Sequence, residues 1–257
     1  MFRPRVIPCL LLSDLGLVKT VMFKSPKYLG DPINIVKIFN DKEVDELVFL
    51  DILATIEQRQ PPYKLLKEVA EEAFMPLAYG GGIRSLEIVR TVLELGFEKI
   101  ILNTFAAENP QFVRQSADFA GSQSVVVSMD TKKSLLGKYE VYVRGGRKAT
   151  GFDAVRFAVE MEKQGAGEIL VNSIDRDGTM TGYDLELVKR ISSSVNIPVV
   201  ACGGAKNALD LGRVVKDGGA SAAAAGSMFV FQGPHRAVLI SYPKEDELRD
   251  IFGAESP

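Results

Sequence analysis

Short apolar runs alternate with longer amphipathic segments along the whole chain. Most of the runs are continuously apolar, which is typical of strands buried on both faces of a parallel sheet. The segments between them carry apolar residues at helical spacing, as over 63–74, 86–95, 153–165 and 206–217. The eight runs are VIPCLLL (6–12), LVFLDI (47–52), PLAY (76–79), KIILN (99–103), SVVVSMD (124–130), EILVNSI (168–174), IPVVAC (197–202) and ASAAAAG (220–226).

This alternation predicts an α/β protein of the (β/α)8 TIM barrel type. Eight strand–helix units within 257 residues match the period of that fold. A doubly wound open sheet is the alternative, but the number of units favours closure. No break in composition marks a boundary, so we predict a single barrel domain over residues 1–257.

Two stretches interrupt the rhythm of strands and helices. Residues 13–31 predict a long loop after the first strand. Residues 139–151 predict a small hairpin after the fifth strand, turning at Gly145 and Gly146. Both follow the C-terminal ends of strands, which in a barrel places them on the catalytic face as lids or substrate clamps. Two tolerated surface insertions are the alternative.

The chain also resembles itself at a shift near 120 residues, which predicts two similar half barrels with duplicated sites on opposite sides of the mouth. The correspondences are VIPCLLL (6–12) with VVVSMDT (125–131), ELVFLDI (46–52) with EILVNSI (168–174), LAYGGGI (77–83) with VVACGGA (199–205), and Asn103-Thr104 with Gly226-Ser227.

Glycine-rich turns follow the third and seventh strands, at 80–82 and 203–204. Each is followed by the polar end of the next strand, at 103–104 or 226–227. Glycine lets the backbone approach a ligand, and a helix N-terminus adds positive potential for an anion. Turns between strands and helices also need glycine for their own geometry. Two such turns half a barrel apart favour a pair of phosphate sites for an elongated ligand with a phosphate at each end.

Carboxylates at the ends of strands are candidates for acid–base chemistry at the barrel mouth. Asp130 closes an apolar run, so we expect burial to raise its pKa. Helix capping or a structural role is the alternative for each, and we favour function for Asp130 and Asp177. Lys19 is a candidate to bind phosphate or donate a proton, although a lone loop lysine is usually solvated. The strand-end carboxylates are Asp51, Asp130, Asp175 and Asp177.

Four charged residues lie at the opposite, N-terminal ends of strands: Arg5, Glu46, Lys99 and Glu168. Two cations and two anions in a ring would pair and plug the floor of a barrel. Ordinary charged flanks of buried strands are the simpler interpretation from the pattern alone.

Composition narrows the functional classes. The net charge of −2 offers no global attraction to nucleic acid or to an anionic membrane. Two cysteines suit a reducing cytosol, and neither a signal peptide nor a transmembrane segment is evident, so we expect a cytoplasmic protein. His235 is the single histidine and reads as an ordinary tail residue. We therefore expect no metal site of the multi-histidine kind and no cofactor.

The sequence around these residues resembles that of a known family. From residue 3 to about 230 the chain resembles the synthase (cyclase) subunit of imidazole glycerol phosphate synthase, an ammonia-dependent lyase-type subunit of a glutamine amidotransferase. The motifs that carry the resemblance are DELVFLDI (45–52), YGGGI (79–83), NTFAAENP (103–110), GSQSVVV (121–127) and GAGEILVNSIDRDGT (165–179).

The resemblance implies a specific arrangement. A glutaminase subunit docks on the N-terminal face, with Glu98 as a contact, and ammonia crosses the barrel to a bis-phosphorylated substrate at the C-terminal face. Asp130 becomes a catalytic acid/base, with Asp177, Asp51 and Lys19 as further candidates. The charged ring of Arg5, Glu46, Lys99 and Glu168 becomes an ammonia gate. One phosphate is implied at Gly82, Asn103 and Thr104, and the other at Gly204, Gly226 and Ser227.

One departure from the family pattern bears on the chemistry. The family carries a catalytic aspartate at the end of strand 1, where this chain has Leu11. Leucine cannot move a proton, and loss of one carboxylate is worth a factor of about 100 to 10,000 in rate. The tail over 233–243 also departs from the family's terminal helix. The chain thus resembles a divergent paralogue, of the kind associated with amidation or acetamidino modification of surface-polysaccharide sugars.

Three hypotheses follow. The chain is an ammonia-dependent synthase that forms a C–N bond at the barrel mouth, as in histidine biosynthesis. Alternatively it is an ammonia conduit and binding scaffold for a third protein that acts on a sugar. In the third hypothesis it is a non-catalytic activator of its glutaminase partner.

Overall fold

The computed structural model describes residues 3–233 and 235–253. Residues 1–2 and 254–257 of the predicted domain, and Pro234 of the tail, lie outside the described residues. The strands are β1 (Arg5–Ser13), β2 (Gly16–Val21), β3 (Lys24–Gly30), β4 (Leu47–Asp51), β5 (Leu77–Gly80), β6 (Lys99–Leu102), β7 (Val125–Lys133), β8 (Tyr139–Val143), β9 (Lys148–Asp153), β10 (Glu168–Ser173), β11 (Val199–Cys202), β12 (Ala222–Ala225), β13 (Phe231–Gln232) and β14 (Ala237–Val238). The helices are α1 (Pro32–Asn40), α2 (Tyr63–Glu72), α3 (Leu86–Glu94), α4 (Thr104–Glu108), α5 (Pro110–Ala120), α6 (Ala154–Lys163), α7 (Leu185–Ser192), α8 (Ala208–Lys216), α9 (Ser227–Val230) and α10 (Glu245–Phe252).

Eight of these strands close into a barrel. Their order around it is β1, β4, β5, β6, β7, β10, β11 and β12, and β12 pairs back onto β1. All eight pairings are parallel, and helices connect successive strands. The predicted (β/α)8 barrel is therefore confirmed, and the open sheet is excluded.

Alternation along the strands separates two apolar layers. On β1, Ile7 and Cys9 belong to the cluster that fills the barrel, whereas Val6 and Leu10 belong to the layer between strands and helices. Since side chains of a strand alternate between its two faces, Leu11 points into the barrel as well. Every second residue of a barrel strand thus faces the interior, and this alternation determines which side chains reach the mouth of the barrel.

The predicted helices form where the amphipathic pattern placed them. Asp153 caps α6, because its carboxylate accepts hydrogen bonds from the backbone N–H groups of Val155 and Arg156. The helix is followed by Gly165, whose φ of 93° lies in the left-handed region. Helices α2, α3 and α8 likewise match the segments 63–74, 86–95 and 206–217.

The long loop predicted over 13–31 is wrong, because this segment is a β-hairpin. Strand β2 pairs antiparallel with β1 and with β3, and the turn uses the left-handed residues Met22 and Phe23. The β-branched residues of GLVKTV favour a strand, and its four central residues are buried. The hairpin predicted over 139–151 is confirmed as β8 and β9, which extend β7.

The two hairpins occupy equivalent places in the two half barrels. One follows the first barrel strand and the other follows the fifth, so the internal repeat extends to the insertions. Their turns meet over the mouth: a β-carbon added to Gly146 would lie 2.9 Å from the Phe23 ring. Both insertions therefore belong to the C-terminal face of the barrel.

The tail combines a short hairpin with a closing helix. Strands β13 and β14 pair antiparallel, the described residues of 233–243 form no helix, and α10 then packs against α8. The Tyr242 hydroxyl donates a hydrogen bond to the carbonyl oxygen of Val6 at 2.8 Å, which ties the tail to the start of β1. None of the helices in the described residues has the length and apolar character needed to cross a bilayer.

Candidate active site

A large basin lies at the C-terminal ends of the barrel strands. Its volume is about 680 Å³, and both glycine-rich turns contribute to its wall. The side chains of Asp130, Asp177 and Lys19 also line it. The two predicted phosphate cradles therefore face one common cavity, as the internal repeat predicts.

The first cradle is connected to Asp130 by hydrogen bonds. Thr104 Oγ1 accepts a hydrogen bond from the backbone N–H of Arg144 at 2.9 Å and donates to Asn103 Oδ1 at 3.2 Å. Asn103 Nδ2 donates to Asp130 Oδ2 at 3.0 Å. Gly82 completes the cradle with a φ of 69°, a conformation that favours glycine. Anything bound at this cradle is thus one residue away from Asp130.

The second cradle has the equivalent glycine turn and strand end half a barrel away. Gly203 and Gly204 have φ of 87° and 109°, and a β-carbon on Gly204 would clash with the carbonyl oxygen of Gly182. Gly226 and Ser227 follow β12 and line the same cavity. The glycines are thus required by the turn itself, and they leave the backbone open to close approach by an anion.

Asp130 is a fully buried carboxylate of the basin with a perturbed pKa. Burial and, to a smaller extent, the neighbouring Asp177 raise its pKa, hydrogen bonds from Asn172 and Asn103 partly oppose the shift, and the net pKa is about 7. The two amide donors lie 3.3 Å and 3.0 Å from the carboxylate oxygens. A group with this pKa exchanges a proton readily at neutral pH, as a general acid or base requires.

Lys19 and Asp177 form a buried ion pair. Lys19 Nζ lies 2.7 Å from Asp177 Oδ1, and Thr20 Oγ1 donates to Asp177 Oδ2 at 3.1 Å. Both charged side chains are less than a tenth exposed. Lys19 is therefore held in β2 against the cavity. Its placement in a flexible loop is wrong, and the alternative of a solvated lysine is excluded.

The other two strand-end carboxylates have different surroundings. Asp51 accepts two hydrogen bonds from Arg59, at 2.7 Å and 2.8 Å, and two more from the backbone N–H groups of Leu53 and Ala54. Such a saturated carboxylate favours a positioning role, and its predicted catalytic role remains a prediction. Asp175 is exposed and accepts from the backbone N–H of Lys133, outside the cavity lining.

Leu11 lines the basin where the repeat pairs it with Asp130. The equivalent strands of the two half barrels each place one side chain in the basin, Leu11 from β1 and Asp130 from β7. Leu11 has no group that can exchange a proton. The side chain is 9% exposed. Chemistry at this cavity must proceed without a carboxylate from β1.

The floor of the barrel is closed by a ring of four charges. Arg5 contacts both Glu46 and Glu168. Lys99 Nζ lies 3.0 Å from Glu46 and 2.9 Å from Glu168. The structure therefore brings together all four predicted gate residues, and ordinary charged flanks do not explain their mutual pairing.

Several basic and amide residues of the basin were not anticipated. Arg59, Arg84, Arg144 and Arg147 line it. Arg59 is paired with Asp51 and Arg144 with Glu108, and a guanidinium is a group that binds phosphate well. The turn RGGR over 144–147 was a usable signal. Asn172 was missed because an asparagine in an apolar run has no motif. Within residues 3–233 and 235–253, no group of three histidine, cysteine or acidic side chains is placed to hold a metal ion.

Comparison with known proteins identifies the family. The sequence profile described as "Histidine biosynthesis protein" matches residues 5–235. The chain belongs to this family. Its match covers the barrel, both cradles and the floor ring.

Relatives within the family resemble the chain over nearly its whole length. A Pseudomonas aeruginosa protein provisionally named imidazole glycerol phosphate synthase subunit hisF2 is 52% identical over 248 residues, covering 96% of this chain and 99% of that protein. A Leptospira interrogans protein with the provisional name subunit HisF is 47% identical, covering 98% and 100%. The imidazole glycerol phosphate synthase subunit HisF of Alkaliphilus metalliredigens is 47% identical, covering 89% and 91%.

Proposed function

We propose that this protein is the synthase subunit of a glutamine amidotransferase of the imidazole glycerol phosphate synthase type. The names of its relatives support this assignment. The observation that carries it is the single basin with two cradles and a buried carboxylate between them. A substrate with a phosphate at each end would span the cradles and expose its central atoms to Asp130.

The candidate site residues of the basin have separate roles in this proposal. Asn103 and Thr104 hold one phosphate beside the glycine turn, and Ser227 holds the other. Asp130 exchanges a proton with the reacting centre, and its pKa of about 7 suits both directions of transfer. The Lys19 ammonium, anchored by Asp177, offers a positive charge to developing negative charge on the substrate.

The nitrogen donor enters from the opposite face in this proposal. A glutaminase subunit releases ammonia at the N-terminal face, where Glu98 is exposed. The barrel interior above the floor ring is lined by apolar and small side chains, among them Ala78, Ala222 and Ala224, which suit passage of a small neutral molecule. The ring of Arg5, Glu46, Lys99 and Glu168 must open for it, so it acts as the gate.

A turnover assay with ammonium salt and a bis-phosphorylated ribonucleotide tests the proposal. We expect product formation that Asp130→Asn abolishes. Leu11→Asp restores the second carboxylate, and we expect it to raise the rate by about 100- to 10,000-fold. Absence of product from both the natural protein and Leu11→Asp would refute a cyclase of the histidine-pathway type.

Leu11 favours a second candidate function. Without a carboxylate from β1, the barrel delivers ammonia to a separate protein that modifies a sugar. Glutamine hydrolysis by the complex would then release free ammonia and leave the bis-phosphorylated ribonucleotide unchanged. Formation of a product that contains nitrogen from glutamine, by the barrel and glutaminase alone, would contradict this candidate.

A further inference from the structure

The tail brings an arginine to the wall of the second cradle. After β13 the chain turns back, and Arg236 Nη2 donates a hydrogen bond to the carbonyl oxygen of Gly178 at 2.6 Å. The same nitrogen donates to Ser227 Oγ at 3.5 Å. Gly178 and Ser227 both line the basin, so the guanidinium stands directly behind the cavity wall.

The charge of Arg236 has no counterion among the described residues, since no carboxylate of residues 3–233 or 235–253 lies within ion-pair distance of it. Its Nε is buried without a hydrogen-bond partner, and burying such a donor is costly. The guanidinium lies 5.0 Å from the centre of the Phe231 ring, which holds it in place. An unneutralised cation is thus kept beside the cradle.

A second cation shares this position. Lys27 Nζ also lies 5.0 Å from the Phe231 ring centre and donates to the carbonyl oxygen of Arg236 at 3.0 Å. Lys27 belongs to the first hairpin and Arg236 to the tail. Two elements that are distant in sequence therefore concentrate positive charge at one end of the basin.

The hydrogen bond to Ser227 has a directional consequence. A hydroxyl that accepts from a guanidinium keeps its own proton available for another acceptor, and a charged donor polarises it. The proton of Ser227 is then free to be donated to an acceptor in the cavity. A phosphate oxygen beside Gly204 and Gly226, which line the same cavity as Ser227, would be such an acceptor.

We propose that Arg236 is a positioning residue of the second cradle, which orients Ser227 and supplies the positive charge that selects a dianionic phosphate monoester there. This inference rests on the proposed function, because it takes the basin to bind a substrate with two phosphates. It adds a specificity-determining residue from the tail, outside both glycine turns.

Titration with inorganic phosphate in two backgrounds tests the role of Arg236. Thr104→Val weakens the first cradle and isolates the second, and there Arg236→Met is expected to weaken binding by roughly 10- to 100-fold. Ser227→Ala weakens the second cradle and isolates the first, and there Arg236→Met is expected to change nothing, because the phosphate that remains binds at the first cradle, away from Arg236. Arg249→Met, in α10 of the same tail, is the matched control, since Arg249 pairs with Glu245.

Arg236→Lys separates charge from packing. It keeps the positive charge, so we expect intermediate affinity, whereas a loss equal to that of Arg236→Met would contradict the charge contribution. Unfolding midpoints of all variants establish that they fold, and Arg236→Lys serves alone if Arg236→Met does not fold.

Different results would refute the phosphate cradles and the role of Arg236. If neither Thr104→Val nor Ser227→Ala alters phosphate binding, or if the natural protein binds no phosphate, the cradles themselves are refuted. If Ser227→Ala weakens binding but Arg236→Met in the Thr104→Val background does not, the cradles stand and the role of Arg236 is overturned. An equal effect of Arg236→Met in both backgrounds also overturns it.

Discussion

Asp130→Asn should make the protein more stable at high pH and should abolish proton transfer. In the folded protein the pKa of Asp130 is about 7, whereas its ordinary value is 3.8. Between these values the folded state binds more protons than the unfolded state, so the free energy of unfolding falls as pH rises. Asparagine does not titrate, so the free energy of unfolding of the variant does not fall for this reason as pH rises.

The magnitude follows from the pKa difference. At 1.36 kcal/mol per pKa unit, the interval from 3.8 to about 7 corresponds to ~4 kcal/mol over the whole titration. Between pH 5 and pH 9 the stability difference between variant and natural protein should change by ~3 kcal/mol, because only the part of the interval above pH 5 contributes. The new amide can pair with Asn172, whose Oδ1 is buried without a partner, once that side chain flips.

Urea unfolding at a series of pH values measures this difference directly. Subtracting the two proteins cancels every titration that they share, so the remaining pH dependence belongs to Asp130. The same substitution at Asp118, which is exposed on α5, is the control. A stability difference that does not vary between pH 5 and pH 9 would refute the argument, since Asp130 would then titrate alike in both states.

Three other substitutions probe separate parts of the molecule. Lys19→Met leaves Asp177 buried without its partner, and we expect urea unfolding to show a loss of about 3–5 kcal/mol. Glu168→Gln removes one anion from the floor ring, and the same measurement should show a loss of about 2 kcal/mol. Gly204→Ala forces a β-carbon onto the carbonyl oxygen of Gly182 and should lower stability by about 2 kcal/mol or more.

Each of these expectations has an opposite result. A Lys19→Met protein as stable as the natural one would mean that Asp177 finds another partner or takes up a proton. An unchanged Glu168→Gln protein would mean that the floor ring is solvated and contributes no net energy. If Gly204→Ala folds with full stability, the turn relaxes, and glycine is present there for the ligand alone.

The barrel itself was predictable because both of its signals are local. Continuous apolar runs mark strands buried on two faces, and amphipathic segments with caps such as Asp153 mark the helices between them. The repeat near 120 residues then related the two glycine turns across the mouth. Strand alternation does the rest, because it determines that Leu11 and Asp130 face inward.

The surroundings of the site were less predictable because they depend on contacts between distant segments. Lys19 looked like a loop lysine, yet its partner Asp177 lies 158 residues further along the chain. Arg59 donates two hydrogen bonds to Asp51, but it lies in a turn whose sequence carries no motif. The role of Arg236 depends on the path of the tail, which no periodicity in the sequence describes.

The contact between the two hairpin turns links the two half barrels beside the basin. A β-carbon added to Gly146 would lie 2.9 Å from the Phe23 ring, and Phe23 lines the basin. Because the two turns belong to insertions of opposite half barrels, a larger side chain at Gly146 would displace the Phe23 ring. The shape of the cavity is therefore sensitive to a position outside both glycine turns.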